Sequence, residues 1–483
     1  MILFELFKNK NSSYKEFSDV LLKNGNTKTL IIAFSVLMLN ILVHIFLNYI
    51  GESFFLIYII LINTILAFCH INSKLGIIPC ARYLLLVSPG FLQYLIYYFT
   101  NDSIRIAFLA NDYLNVSIFK NVASISNIAA ASSLIGFCFK PLEIKSNINI
   151  HINKYYLRYS KVIFLLFIFF AILYALSIGE SMLTSGSYGN SDYDGEGSTF
   201  KIGTLNVFFF YFISLFFIYS SIELNLTRKS LFVYSLFFYF TILYIALRGV
   251  RQDSLGVPLS LLTFVYLLKN KNKSRYHTLF VLLIFAWFGS IVTGIIRADF
   301  SLQTFSSILI LFASAFFKDA QGYIALNLDT ASMTIGTLNV IPYKIKEQGY
   351  LLGASYIDWI PRTLPSFLYP NRPNDIAFQM HYNGDWFGWG GVHEVAEAFW
   401  NFGIFGVVFV PFIFSLVLNL LGKKLLNSRS LYSAIPLVWL IMLPRYIWYQ
   451  SFGFYKSTIV LYILIFLIIN VKKFIFSTYN TKA

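Results

Sequence analysis

The chain has 483 residues, 57% of them hydrophobic and only 12% charged, with a mean hydropathy of +0.67 and a net charge of +15. So much apolar surface excludes a water-soluble domain, and continuous apolar runs of roughly 18–20 residues exclude a β-barrel, whose strands alternate over about 10. The positive balance is that of cytoplasmic loops in a polytopic membrane protein, not of a nucleic-acid surface.

The first residues, M-I-L-F-E-L-F-K-N-K, are read as part of the mature chain. A polar stretch separates them from the first apolar run and no A-x-A cleavage site follows, so the first helix itself would direct insertion. The expected fold is an all-α polytopic membrane protein of about twelve spans, treated as one integral domain over 1–483. The spans are placed at 30–50, 54–70, 83–99, 115–139, 161–179, 203–222, 230–248, 253–268, 278–296, 402–421, 431–448 and 456–471. One large external segment, 297–401, precedes the last three. Within it a run at 302–317 is too short and serine-rich for a span and reads as interfacial or re-entrant.

With a cytoplasmic N-terminus, the inward loops hold 24 of the 37 Lys and Arg, Arg82 among them in loop 71–82. Counting 302–317 as a thirteenth span would put the basic loop 422–430 and the C-terminal lysines outside, which the positive-inside rule disfavours. The external loop Glu180 to Lys201 is acidic and rich in Gly, Ser and Tyr. It suits a mobile lid or carbohydrate-facing surface and equally a solvated connector. Cys69, Cys80 and Cys138 lie in or beside apolar spans without metal-ligand spacing, so they are expected as packing residues.

The stretch Asp358 to Gly403 gathers two arginines, two histidines and five carboxylates in one aromatic, Pro- and Gly-rich segment. Arg362, Arg372, His381, His393, Asp358, Asp375, Asp385, Glu394 and Glu397 lie there among Pro361, Pro365, Pro370 and Pro373 and many aromatics. Other external arginines stand at span ends: Arg248, Arg251, Arg297 and Arg445. Guanidinium groups bind phosphate oxygens bidentately and stay charged at the membrane surface, so the set suits a lipid-borne diphosphate. Arginines snorkelling to headgroups, or pairing with Asp253 or Asp299, give the plainer explanation.

In G-G-V-H-E-V-A-E-A-F-W-N-F-G (390–403), a helix entering span ten would put His393, Glu397 and Trp400 on one face, with Glu394 on the neighbouring one. A histidine can take a proton from a sugar hydroxyl while a carboxylate orients it. It can also simply cap or pack the helix start. H-E-x-x-E lacks the second histidine of the zinc motif H-E-x-x-H, so no metal is expected. Trp386, Trp389, Trp400 and Asp385 are candidates for holding sugar, although aromatics also belong at membrane interfaces. There is no P-loop, dinucleotide fingerprint, nucleophile elbow or D-x-D pair, and no cofactor is expected. The energy for any reaction would come from an activated lipid-linked substrate.

The span order, the large external segment and the external arginines resemble the Wzy-type O-antigen polymerases and, more distantly, the O-antigen ligases. The element I-P-R-T-L-P-S-F-L-Y-P-N-R-P (360–373) is similar to the I-P-S-x-x-x-P-x-R-P element of repeat-unit polymerases, and 390–403 resembles the glycine-rich start of their following helix. The resemblance implies a metal-independent GT-C-like glycosyltransferase of the bacterial inner membrane, with cytoplasmic termini and a periplasmic active site. It would transfer a growing glycan from undecaprenyl diphosphate to the non-reducing end of a new lipid-linked unit. By matched position, Arg248, Arg251, Arg297 and Arg372 would hold the diphosphate, and His393 would be the base, oriented by Glu394 or Glu397. The family's paired signature of an arginine followed by ten residues and a glycine is absent as a pair. Implied partners are the lipid-linked donor and acceptor, membrane lipids, and a chain-length regulator and flippase of the same pathway. A ligase acting on lipid A core and a flippase are the alternatives. A flippase should carry charge in mid-span, whereas these spans read as nearly uncharged.

Overall fold

The computed structural model describes residues 27–71, 77–100, 116–139, 345–346, 348–357, 360 and 393–427. Among the described residues every regular element is a helix. Helix α1 (Thr27–Ile45) passes through a 3-10 turn at Leu47–Tyr49 into α2 (Glu52–Ile71), followed by α3 (Ile77–Thr100) and α4 (Val116–Cys138). A short α5 (Ala354–Ile357) precedes α6 (Glu394–Asn427). Four stretches are long and apolar enough to cross a membrane: Thr27–Ile45, Glu52–His70, Phe119–Cys138 and Glu394–Leu420.

The arrangement is that of a membrane protein. Large apolar side chains face outward along α1 (Ile31, Phe34, Met38, Leu42, Ile45) and α2 (Phe54, Ile57, Leu61, Phe68), at the three- and four-residue spacing of one helix face. Two buried asparagines bond locally, as an apolar surround demands. Asn40 donates to Val36 O (2.8 Å) and accepts from Tyr58 (2.5 Å), while Asn63 donates to Ile59 O and accepts from Tyr83 (2.9 Å).

Helix α4 is the centre of the group, packed against α1, α3 and α6 and almost wholly buried. Its middle, A-S-I-S-N-I-A-A-A-S-S, consists largely of small residues that let neighbouring backbones come close. Contacts fix the direction of α6 beside it. Ser132 donates to Val408 O, Gly136 lies against Phe412 O, and Asn419 donates to Phe137 O (3.0 Å). Residue numbers rise together, so α4 and 404–427 run parallel.

Two expectations are corrected. Helix α3 begins at Ile77, not at 83, because Pro79 falls in the first turn, where no intrahelical N–H bond is lost. Arg82 is therefore a buried helix residue rather than a loop cation, and the spans are not as free of charge as composition suggested. Second, 394–427 is not one straight helix. Phe402 and Gly403 leave the helical region, Gly403 at φ 61° and ψ −146°, which essentially only glycine adopts. The two arms fold back on one another: a Cβ on Gly406 would lie 2.0 Å from Ala398 O. On a straight helix residues 398 and 406 would be about 12 Å apart. The expected spans at 161–179, 203–222, 230–248, 253–268, 278–296, 431–448 and 456–471, the run 302–317 and the loop 180–201 lie outside the described residues.

Candidate functional site

The site is assembled around the first arm of α6. His393 stands immediately before the helix, and its carbonyl accepts the Glu397 N–H (2.9 Å), closing the first turn. The Val395 amide points to Nδ1 (3.2 Å), and an amide can only donate, so Nδ1 is the unprotonated nitrogen. The proton then sits on Nε2, which donates to Leu85 O (3.4 Å). His393 caps one of the orphan amides of the helix start, as Ser or Asp would elsewhere.

The ring is wholly buried, and burial, aided by nearby Arg82, pushes its pKa down to about 3. The fold thus favours neutral imidazole. Stability from this group is fully present above its ordinary value of 6.5 and drains away as pH falls from there towards about 3. The melting temperature in detergent should drop over that acidic window, and His393→Gln should flatten the His393 share of the slope.

Glu394 turns the other way, into the bundle. Its carboxylate meets the Arg82 guanidinium in a two-pronged pair, Nη1–Oε2 at 2.9 Å and Nη2–Oε1 at 2.5 Å. Neither side chain reaches the surface, with exposures of 0% for Arg82 and 1% for Glu394. Arg82 Nε donates to Ser415 Oγ (2.8 Å), which shares a hydrogen bond with Ser133 Oγ on α4 (2.6 Å). The guanidinium also lies over the Phe414 ring, 4.5 Å from its centre. On a straight helix Glu394 and Ser415 would stand about 30 Å apart, so one side chain touching both independently requires the hairpin.

Glu397 serves a third direction. It accepts from Ser355 Oγ (2.8 Å), while Asn401 Nδ2 donates both to Ser355 Oγ (2.7 Å) and to Glu397 O (2.8 Å). Near the hairpin tip, the loop 349–353 caps the end of the first arm. Leu351 N–H donates to Trp400 O (3.3 Å), Leu352 N–H to Asn401 O (3.2 Å) and Gly353 N–H to Asn401 Oδ1 (2.8 Å). The backbone carbonyls of Trp400 and Asn401 are ones that the break at Phe402 deprives of helical partners.

The structure therefore brings His393, Glu394, Glu397 and Trp400 together on one short arm, but not as an open acid–base pair. Both nitrogens of His393 are bonded to backbone, so neither carboxylate orients it, and in this arrangement the residue works as a helix cap. Trp400 is 3% exposed, its indole packed inside rather than open to a sugar. Arg248, Arg251, Arg297, Arg362, Arg372, Arg445, Asp385, Trp386 and Trp389 lie outside the described residues. Cys69, Cys80 and Cys138 are free thiols, and among the described residues no cluster of His, Cys, Asp and Glu could hold a metal.

Sequence reasoning passed over Arg82, Ser415, Ser133, Ser355 and Asn401. Arg82 carried a usable signal: in C-A-R-Y-L-L-L-V it directly adjoins an apolar run, and two carboxylates three residues apart beside another span required partners. No protein-family model, curated protein or solved structure matches the chain.

Proposed function

We propose that the chain is a membrane glycosyltransferase that polymerises undecaprenyl-diphosphate-linked repeat units into O-antigen or a related surface polysaccharide. In this reading it sits in the bacterial inner membrane, with its reacting groups in the external segment 297–401. The observation that carries the reading is that 358–403 holds five of the chain's 22 carboxylates, two of its six histidines and four of its seven tryptophans, and ends in the buried arm that begins at Glu394.

In the proposed reaction, a non-reducing-end hydroxyl of the incoming lipid-linked unit attacks the anomeric carbon of the growing chain. The new glycosidic bond forms as the bond to the lipid diphosphate breaks. The leaving diphosphate carries its negative charge to Arg248, Arg251, Arg297, Arg362, Arg372 and Arg445, and the hydroxyl proton passes to a base of the 358–403 segment. His393 serves as that base only once the Val395 amide releases Nδ1. Otherwise His393, Glu394 and Glu397 hold the segment in place while Asp385, Trp386 and Trp389 meet the sugars. The parallel run of α4 and 404–427 fits the expected direction, in which both pass from outside to inside. A thirteenth span at 302–317 would make them antiparallel. In the expected order Arg82 and Leu85 stand near the inner end of α3, so His393 and Glu394 lie deep in the bundle rather than at its external face.

A second reading, flipping of the lipid-linked glycan, gains from the buried Arg82–Glu394 pair, because intramembrane charge marks transport paths as well as anchors. That pair, however, is closed by Ser415 and Phe414 and leaves neither charge open to cargo.

Arg297→Ala and Arg372→Ala should each reduce polymer formation on purified lipid-linked units by about 100-fold or more, the size expected when a group facing developing charge is lost. Replacement by Lys should restore only part of it, since the two-pronged contact goes. Full-length polymer from both alanine variants would refute the diphosphate role.

A further inference from the structure

The geometry points to Arg82 as the positioning residue of the proposed catalytic segment: a single buried cation that clamps both arms of the α6 hairpin to the N-terminal helices. This inference rests on the polymerase reading for its functional part and on geometry alone for the clamp.

Three observations converge. Arg82 spends all three guanidinium nitrogens on α6, two on Glu394 at the start of the first arm and one on Ser415 in the second. Ser415 passes the contact to Ser133, so α3, both arms and α4 meet at one point. One turn along α3, Leu85 O receives the His393 imidazole, giving the arm a second attachment to the same helix. The first arm spans only 394–401, roughly two turns, too short to hold a helical shape without tertiary support. Residues 358–392, which include Arg362, Arg372 and the expected sugar-facing Trp386 and Trp389, join the bundle at His393. Whatever fixes His393 and Glu394 therefore fixes the depth and direction at which that segment leaves.

Such a residue touches no substrate and acts through Glu394. Losing it should lower turnover and leave KM for the lipid-linked unit within about twofold, whereas losing a diphosphate ligand should raise KM. The decisive variant is the charge-free double substitution Arg82→Met/Glu394→Met, which refills the interior without an unpaired charge and keeps the protein folded if either single variant fails.

Three measurements on full-length protein in detergent test it: melting temperature, steady-state polymerisation, and hydrogen exchange of the amides of 393–401. The expected result is a melting temperature near wild type, turnover lowered by about 100-fold, as misplacement by an ångström can cause, and faster exchange across 393–401. Restored stability with restored turnover would overturn the inference, making the pair a structural filler only. If wild-type protein makes no polymer at all, the polymerase reading fails separately. Exchange then decides the clamp by itself: faster exchange over 393–401 in the double variant upholds it, and unchanged exchange overturns it.

Discussion

Arg82→Met alone should destabilise the protein by about 3–5 kcal/mol, because it strands the Glu394 carboxylate in an interior where it has 1% exposure. The loss is not that of a surface ion pair, worth under about 1 kcal/mol. It comes from leaving one charge buried with no counter-charge, together with the lost bonds to Ser415 and the stacking on Phe414. Glu394→Gln should cost less, since an amide keeps part of the hydrogen bonding without a full charge to bury. The double variant Arg82→Met/Glu394→Met should recover most of the single-variant loss, since well-packed apolar replacements of buried pairs are often neutral. Thermal unfolding in detergent, followed by size-exclusion fluorescence, reads all four proteins. A stable Arg82→Met single variant would mean that the pair is not buried as described.

Gly406→Ala should be the most damaging single-methyl change in the described residues. The added carbon would fall 2.0 Å from Ala398 O and 2.8 Å from Ala398 C, both backbone atoms of the opposite arm that cannot rotate away. The arms must separate, which would cost at least the ~1–3 kcal/mol typical of forced overpacking. Separation would also draw Glu394 away from Arg82. Gly51→Ala is the control, where the new carbon meets only the Phe54 ring at an ordinary 3.9 Å. The melting temperature should fall clearly for the first and hardly for the second. Equal, small effects would contradict the folded-back hairpin.

Among the described residues the helices were legible because apolar runs of bilayer length have one common solution. The expected spans at 54–70 and 115–139 coincide with Glu52–Ile71 and Val116–Cys138 to within a few residues. The miss at α3 was physical. A proline and an arginine near a helix start read as loop by composition, yet the first turn tolerates both when the arginine has a buried partner. That partner, Glu394, is 312 residues away, beyond the reach of any local pattern. The hairpin was hidden for a similar reason. N-F-G-I-F-G reads as two glycines in an apolar run, and only the close approach of Gly406 to Ala398 shows what the second is for. Of the candidate site, the described residues hold only His393, Glu394, Glu397 and Trp400. What spacing could not reveal was that His393 and Glu394 face backbone and Arg82 rather than each other.

The central claim is polymerisation, and it is tested most directly by incubating wild-type protein, purified in detergent, with undecaprenyl-diphosphate-linked repeat units and no lipid A core. The account predicts a ladder of lipid-linked glycans growing by one repeat unit per rung. Absence of a ladder, with glycan transfer appearing only when lipid A core is added or with lipid-linked sugar crossing proteoliposomes instead, would contradict it.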